Sequence, residues 1–262
     1  MSERPVAEEG LLKLHRNGPV LFVALHRPRK RNALNDRAVL ELEACFAGLD
    51  PQVRAVVLYG TGDHFCAGLD LSELSERDVA EGIAHSSMWH RAFQRIEFGA
   101  VPVVAVLHGA VIGGGLELAA ACHIRIAEEG AYYALPEGQR GIFVGGGGSV
   151  RLPRLIGAAR MADMMLTGRT YDAAEGERVG FSQYLVRRGE GLAKARLVAE
   201  AIAANAPITN FAVVQALPRI AAADPATGYM MESLVSAIAQ NEPEAKARIR
   251  DFLAGKAKKT TV

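Results

Sequence analysis

Apolar residues in the first half of the chain follow two alternating rhythms. Residues 11–16 (LLKLHR) and 20–25 (VLFVAL) are short strand-like runs that meet at Asn17-Gly18, a pair suited to a tight hairpin turn. Between Asp36 and Leu49, the positions Val39, Leu40, Leu42, Cys45, Phe46 and Leu49 recur at helical spacing, and Asn35 or Asp36 can cap the start. Residues 54–60 (RAVVLYG) and 101–107 (VPVVAVL) read as buried strands. A long helix is predicted over 78–98, and another from Gly113 to Cys122. The order strand–helix–strand–loop runs twice, over 20–70 and 101–137, with no sequence identity between the passes.

Strands alternating with helices define an α/β class. From residue 189 the pattern turns wholly helical. Segments 191–207, 210–223, 227–241 and 242–259 are four successive candidates, separated by proline or glycine. The expected organisation is therefore a core over residues 1–188 and a helical region over 189–262, with a frayed tail at GKAKKTTV.

Composition narrows the function classes. Half of the 262 residues are hydrophobic and the net charge is +1, so no overall field points to nucleic acid or a membrane surface. Cys45, Cys66 and Cys122 are an odd, widely spaced set without zinc-site spacing, which fits a reducing compartment. The start MSERPVAEEG lacks a signal-peptide core, and no apolar run is long enough to span a membrane. A cytoplasmic protein is expected. The seven histidines form no H-E-x-x-H, and His85 and His90 have poor metal-ligand spacing. No metal is expected. Trp89, Phe93 and Ile96 read as core.

Two acidic residues stand in apolar, glycine-rich text: Glu117 in HGAVIGGGLELA and Glu137 in LPEGQRG. A lone buried carboxylate is costly, so a pair beside exposed backbone N–H groups suggests an acid and a base facing an anion-stabilising site. Gly113-Gly114-Gly115 opens a helix, whose first N–H groups have no partner. The dinucleotide spacing fails, as does the Walker lysine. Ala67 and Gly68 in FCAGLD offer a second close backbone approach. Taken singly, Glu117 reads as a helix-dipole partner and Glu137 as a surface turn residue. Residues 145–149 (GGGGS) read as a flexible helix-entry loop. Arg27, Arg29, Lys30 and Arg31 are either a solvated basic loop or a cluster that neutralises a phosphorylated ligand.

Taken in order, RPRKRNAL, HFCAGLDL, HGAVIGGGLELA and LPEGQRGIFVGGGGSVRLPRLIG resemble the crotonase superfamily, over about residues 10–257. The resemblance implies a spiral of repeated ββα units with a C-terminal helical oligomerisation region, giving a trimer or a dimer of trimers. It also implies an acyl-CoA thioester substrate, with no cofactor beyond that coenzyme A. An enolate would be held by the N–H groups of Ala67 and Gly114. Glu117 would deprotonate a water, and Glu137 would share that water and protonate the α-carbon. Coenzyme A would be met by Arg29, Lys30, Ala67, Asp70 and Leu71.

Residues 62–78, HSSMWHRAF and 132–168 further resemble the methylthioacryloyl-CoA hydratases, whose adduct expels methanethiol and leads to acetaldehyde, CO2 and coenzyme A. Alternatives are a general short-chain enoyl-CoA hydratase, an isomerase or thioester hydrolase using one carboxylate, and a non-catalytic RNA binder, which the net charge disfavours. Val144, His108 and His123 depart from the family's usual proline, asparagine and aspartate.

Overall fold

The computed structural model describes residues 10–73 and 76–256. Most of the predicted start and end segments, 1–9 and 257–262, lie outside them. The first elements are β1 (Leu12–Asn17), β2 (Val20–Leu25), α1 (Asp36–Ala47), β3 (Ala55–Gly60) and α2 (Val79–Glu97). There follow β4 (Val103–Leu107), β5 (Ala110–Ile112), α3 (Gly114–Ala121), β6 (Ile124–Glu128) and β7 (Tyr132–Ala134). Then come α4 (Gly148–Ile156), α5 (Ala158–Thr167), β8 (Tyr171–Asp172), α6 (Ala173–Arg178) and β9 (Tyr184–Val186). The chain continues as α7 (Gly191–Ala203), α8 (Pro207–Gln215), α9 (Leu217–Ala222), α10 (Pro225–Asn241) and α11 (Pro243–Leu253).

Six strands form one sheet in the order β1-β2-β3-β4-β6-β9, and β5-β7-β8 form a second. The hairpin pairs Asn17 with Val20, and Gly18 takes the left-handed conformation the turn requires. From β2 onward the large sheet is parallel. Parallel strands are covered on both faces, which is why β3 and β4 read as unbroken apolar runs. Val56, Leu58, Ala105 and Leu107 face the main core with Phe65, Phe93 and Leu116. Ala55, Val57, Val104 and Val106 face the opposite layer, where α7 lays Ala195, Ala199 and Ala203 on the sheet at a four-residue period.

The helix predicted over 210–223 is instead two helices, α8 and α9, that break at Ala216. Pro218 cannot donate to the preceding turn and its ring crowds it, so a new helix starts there. Among the described residues no single helix is long and apolar enough to cross a membrane.

Loops leaving the carboxyl ends of the parallel strands β3 and β4 build the site, as expected for this architecture. Residues 65–70 are pinned on both sides. Cys66 N–H donates to Ala110 O at 3.0 Å, and Ile112 N–H to Cys66 O at 3.0 Å. On the other side Leu34 N–H donates to Gly68 O at 2.7 Å, and Asp70 N–H to Leu34 O at 2.8 Å. The loop therefore lies directly against the start of α3.

Candidate active site

Gly113 has φ +52 and turns β5 into α3, which leaves Gly114 as the first helical residue. Gly68 has φ +90, and a Cβ there would lie 2.7 Å from Ile112 O and 3.2 Å from Gly114 N. Only glycine allows the two backbones to come this close. A Cβ on Gly114 would in turn meet the Trp89 ring at 2.7 Å and sit 3.6 Å from Leu69 N.

This geometry corrects the expectation for Ala67. The Ala67 N–H is already used: it donates to Arg31 O at 3.0 Å. Leu69 is the residue that lines the cavity beside Gly114. Its N–H has no acceptor among the described residues, because the bridge to Leu34 uses Gly68 O and Asp70 N–H. Among the described residues Leu69 N–H, and not Ala67 N–H, is thus the donor left open beside Gly114.

Glu117 projects one turn into α3 and is 3% exposed. Its Oε1 accepts from Gly146 N–H at 2.8 Å and Gly148 N–H at 2.7 Å. Burial raises its pKa, while these N–H groups and Arg151 oppose the rise. The glycine run thus has a steric reason that sequence separation hides. A Cβ on Gly146 would lie 3.2 Å from the carboxylate, and one on Gly148 would lie 2.8 Å from Glu117 Cγ. Residues 145–148 enter a helix, as expected, and they also cradle a carboxylate.

Glu137 begins a 3-10 turn over Gly138–Arg140. Its Oε1 would lie 2.5 Å from a Cβ on Gly113, so it sits over the start of α3. Its Oε2 is buried without a hydrogen-bond partner among the described residues. Burial pushes its carboxyl up to about 7, with Glu117 adding to the rise and Arg140 opposing it.

Leu69, Gly114, Glu117 and Glu137 line one cavity of about 370 Å³. Trp89, Phe143 and Val144 supply apolar wall, and Val144 is the residue that departs from the usual proline. Trp89 and Phe93 are core residues as predicted, stacked edge to face with ring centres 5.5 Å apart. Trp89 belongs to the site as well. His85 also lines the cavity and pairs with Asp36 at 2.9 Å. Its period on α2, one turn before Trp89, was the available signal.

The basic loop is divided. Arg27 binds Asp70 at 2.8 Å and Lys30 approaches it at 3.4 Å. Burial alone would raise the Asp70 pKa; Ser72, Arg27 and Lys30 outweigh it and hold the carboxyl well below the usual range. Asp70 is 4% exposed, and its carboxylate ties the two loops together. Arg29 and Leu71 are exposed, and Lys30 keeps half of its side chain in solvent.

Two other departures have physical reasons or partners. His123 Nδ1 accepts from Val103 N–H at 3.0 Å, and its Nε2 faces Glu97 O at 3.2 Å. Burial lowers its pKa to about 4, so a neutral ring ties α2 to β4. His108 lies at the surface with Nε2 3.2 Å from Gly62 O.

Two buried carboxyls and the backbone of Leu69 and Gly114 thus line one cavity beside the carboxyl ends of parallel strands, the arrangement that the sequence resemblance implies. The chain belongs to the enoyl-CoA hydratase/isomerase family, whose model matches residues 15–253. It is 34% identical over 223 residues to a short-chain-enoyl-CoA hydratase of Clostridium acetobutylicum, covering 84% of this chain and 85% of that protein. A crystal structure from Rhodopseudomonas palustris, provisionally named an enoyl-CoA hydratase, is 61% identical with a TM-score of 0.93 and covers 97% of this chain and 98% of its own. A similarly named Thermobifida fusca structure, in complex with acetoacetyl-CoA, is 27% identical with a TM-score of 0.80, covering 87% and 94%.

Proposed function

We propose that this protein adds water across the double bond of a short α,β-unsaturated acyl-CoA thioester. The observation that carries this reading is the placement of Glu117, Glu137 and the Leu69 and Gly114 N–H groups around one cavity. The thioester oxygen accepts from Leu69 and Gly114, which makes the β-carbon electrophilic and stabilises the enolate. Ionised Glu117 takes a proton from water as its oxygen bonds to the β-carbon. Protonated Glu137 gives its proton to the α-carbon. The proton left on Glu117 returns to Glu137 before the next turnover, so atoms and charge balance. No metal or redox group takes part. The names of the relatives, and acetoacetyl-CoA in the Thermobifida fusca structure, support an acyl-CoA ligand. Arg29 and Lys30, which are exposed on the basic loop, would meet its phosphates in this reading.

A narrower substrate, methylthioacryloyl-CoA, is favoured by the likeness of residues 62–78 and 132–168 to that branch. The curated relatives support the general short-chain reading more broadly. With a CH3S group on the β-carbon, the same hydration gives an adduct that expels methanethiol. A second water then cleaves the thioester, and decarboxylation leaves acetaldehyde. Product analysis with crotonyl-CoA and methylthioacryloyl-CoA, offered separately, tests both. Conversion of crotonyl-CoA alone supports the general reading and removes the narrow one. Methanethiol with free coenzyme A supports the narrow one, and inertness toward both contradicts hydration.

The pH profile follows from the two carboxyls. Glu137 must be protonated, so kcat/KM is expected to fall as pH rises through about 7. Glu117 must be ionised, which sets the acid limb. A profile flat well above neutrality would contradict Glu137 as the acid.

Residues 1–188 carry the site in this reading, and 189–262 serve assembly. Phe211, Leu217, Tyr229, Leu234 and Ile238 expose large apolar surface, with Tyr229 at 72%. A trimer or dimer of trimers is expected by light scattering; a stable monomer at micromolar concentration would contradict it.

A further inference from the structure

Arg151 lies behind the wall of the cavity and touches nothing in it, yet it is joined to Glu117 through one residue. It sits on α4 and is 6% exposed. Its Nη1 donates to Gly146 O at 2.8 Å, and its Nε donates to Glu97 Oε2, at the end of α2, at 2.7 Å. Gly147, at φ +92, has no room for a Cβ because the guanidinium occupies that space. The N–H of the same Gly146 is one of the two that hold Glu117 Oε1.

We infer that Arg151 is a positioning residue for hydration: braced by Glu97, it fixes the 146–148 loop so that two N–H groups converge on Glu117 and keep it an ionised base. This rests on the hydratase reading above. A salt bridge of this kind, buried on one side, is a poor source of net stability and a good source of fixed geometry. The guanidinium also bears directly on the charge of Glu117, opposing the rise that burial causes. Around this unit stand Glu97 and His90 on α2, the latter with a pKa lowered by burial and then by Arg151; Cys122 at the end of α3; Arg154 on α4, in the same pocket as Glu97 and Arg151; and Glu137 across the cavity. Lys at position 151 would keep the charge and lose the two-armed fork.

The test compares Arg151→Gln, Arg151→Lys, Glu97→Gln and Glu117→Gln in crotonyl-CoA hydration across pH. Arg151→Gln is expected to lower kcat on the order of 10- to 100-fold, the scale for a misplaced reacting group. Its KM should stay near wild type and its acid limb should move to higher pH. Arg151→Lys should restore the limb more than kcat. Glu97→Gln should lower kcat with a smaller displacement of the limb. A merely structural role would lower the melting temperature and the active fraction while leaving the limb in place. Folded Arg151→Gln with wild-type kcat and limb overturns the inference. If that variant does not fold, wild-type kcat in Glu97→Gln overturns it instead. Glu117→Gln separates the two failures: if it hydrates normally, the hydratase reading of Glu117 falls; if it is inactive, only the role of Arg151 is at stake.

Discussion

Glu117→Ala and Glu137→Ala are each expected to lose roughly 100-fold or more in kcat, the usual range for removing a general acid or base. The two losses should differ in character. Alanine at 117 removes the acceptor for Gly146 and Gly148 N–H, leaving two buried donors without a partner and disturbing the loop. Glu117→Gln keeps an oxygen for those donors, so it isolates the missing base from the missing cap. Glu137 has a buried oxygen with no partner among the described residues, so its removal should cost little stability or even add some. Steady-state kinetics with thermal melts separate these effects. Near-normal hydration by both variants would remove the acid–base mechanism.

The second large effect concerns the backbone donors. Leu69→Pro deletes the Leu69 N–H and, by the bonding pattern of the loop, no hydrogen bond that holds the fold. It is expected to lower kcat about 100- to 1000-fold, the scale for losing one oxyanion-hole donor. Gly114→Pro removes the partner donor, but its ring would also press on Trp89. A folded Leu69→Pro protein with normal turnover would return the donor role to another residue.

The error at Ala67 shows where reading residues stops. Small side chains at Ala67 and Gly68 signal that a ligand or backbone comes close, and it does. Which N–H faces the cavity depends on successive peptide orientations, and these are fixed by bridges to Leu34 and Val111 that join distant segments. The ion pair of Asp70 was hidden for a similar reason: its partner Arg27 is 43 residues away in sequence. The strands and α1 were legible because burial on one or both faces writes directly into apolar period. Asn35 caps α1 as its residue type suggests, accepting from Ala38 N–H at 2.9 Å. Glu117 and Glu137 were conspicuous by their apolar surroundings, but their convergence was carried by resemblance. The role of the glycines at 146 and 148 became visible only when the fold placed them against Glu117.

Hydration, isomerisation and thioester hydrolysis on this scaffold differ in where water's oxygen ends. Crotonyl-CoA turned over in oxygen-18 water, with products read by mass spectrometry, separates them. A hydratase using Glu117 and Glu137 yields 3-hydroxybutyryl-CoA with one labelled oxygen on the β-carbon, and Glu117→Gln suppresses it. Label only in a free carboxylate, or crotonyl-CoA recovered unlabelled and unchanged, would contradict the proposed chemistry.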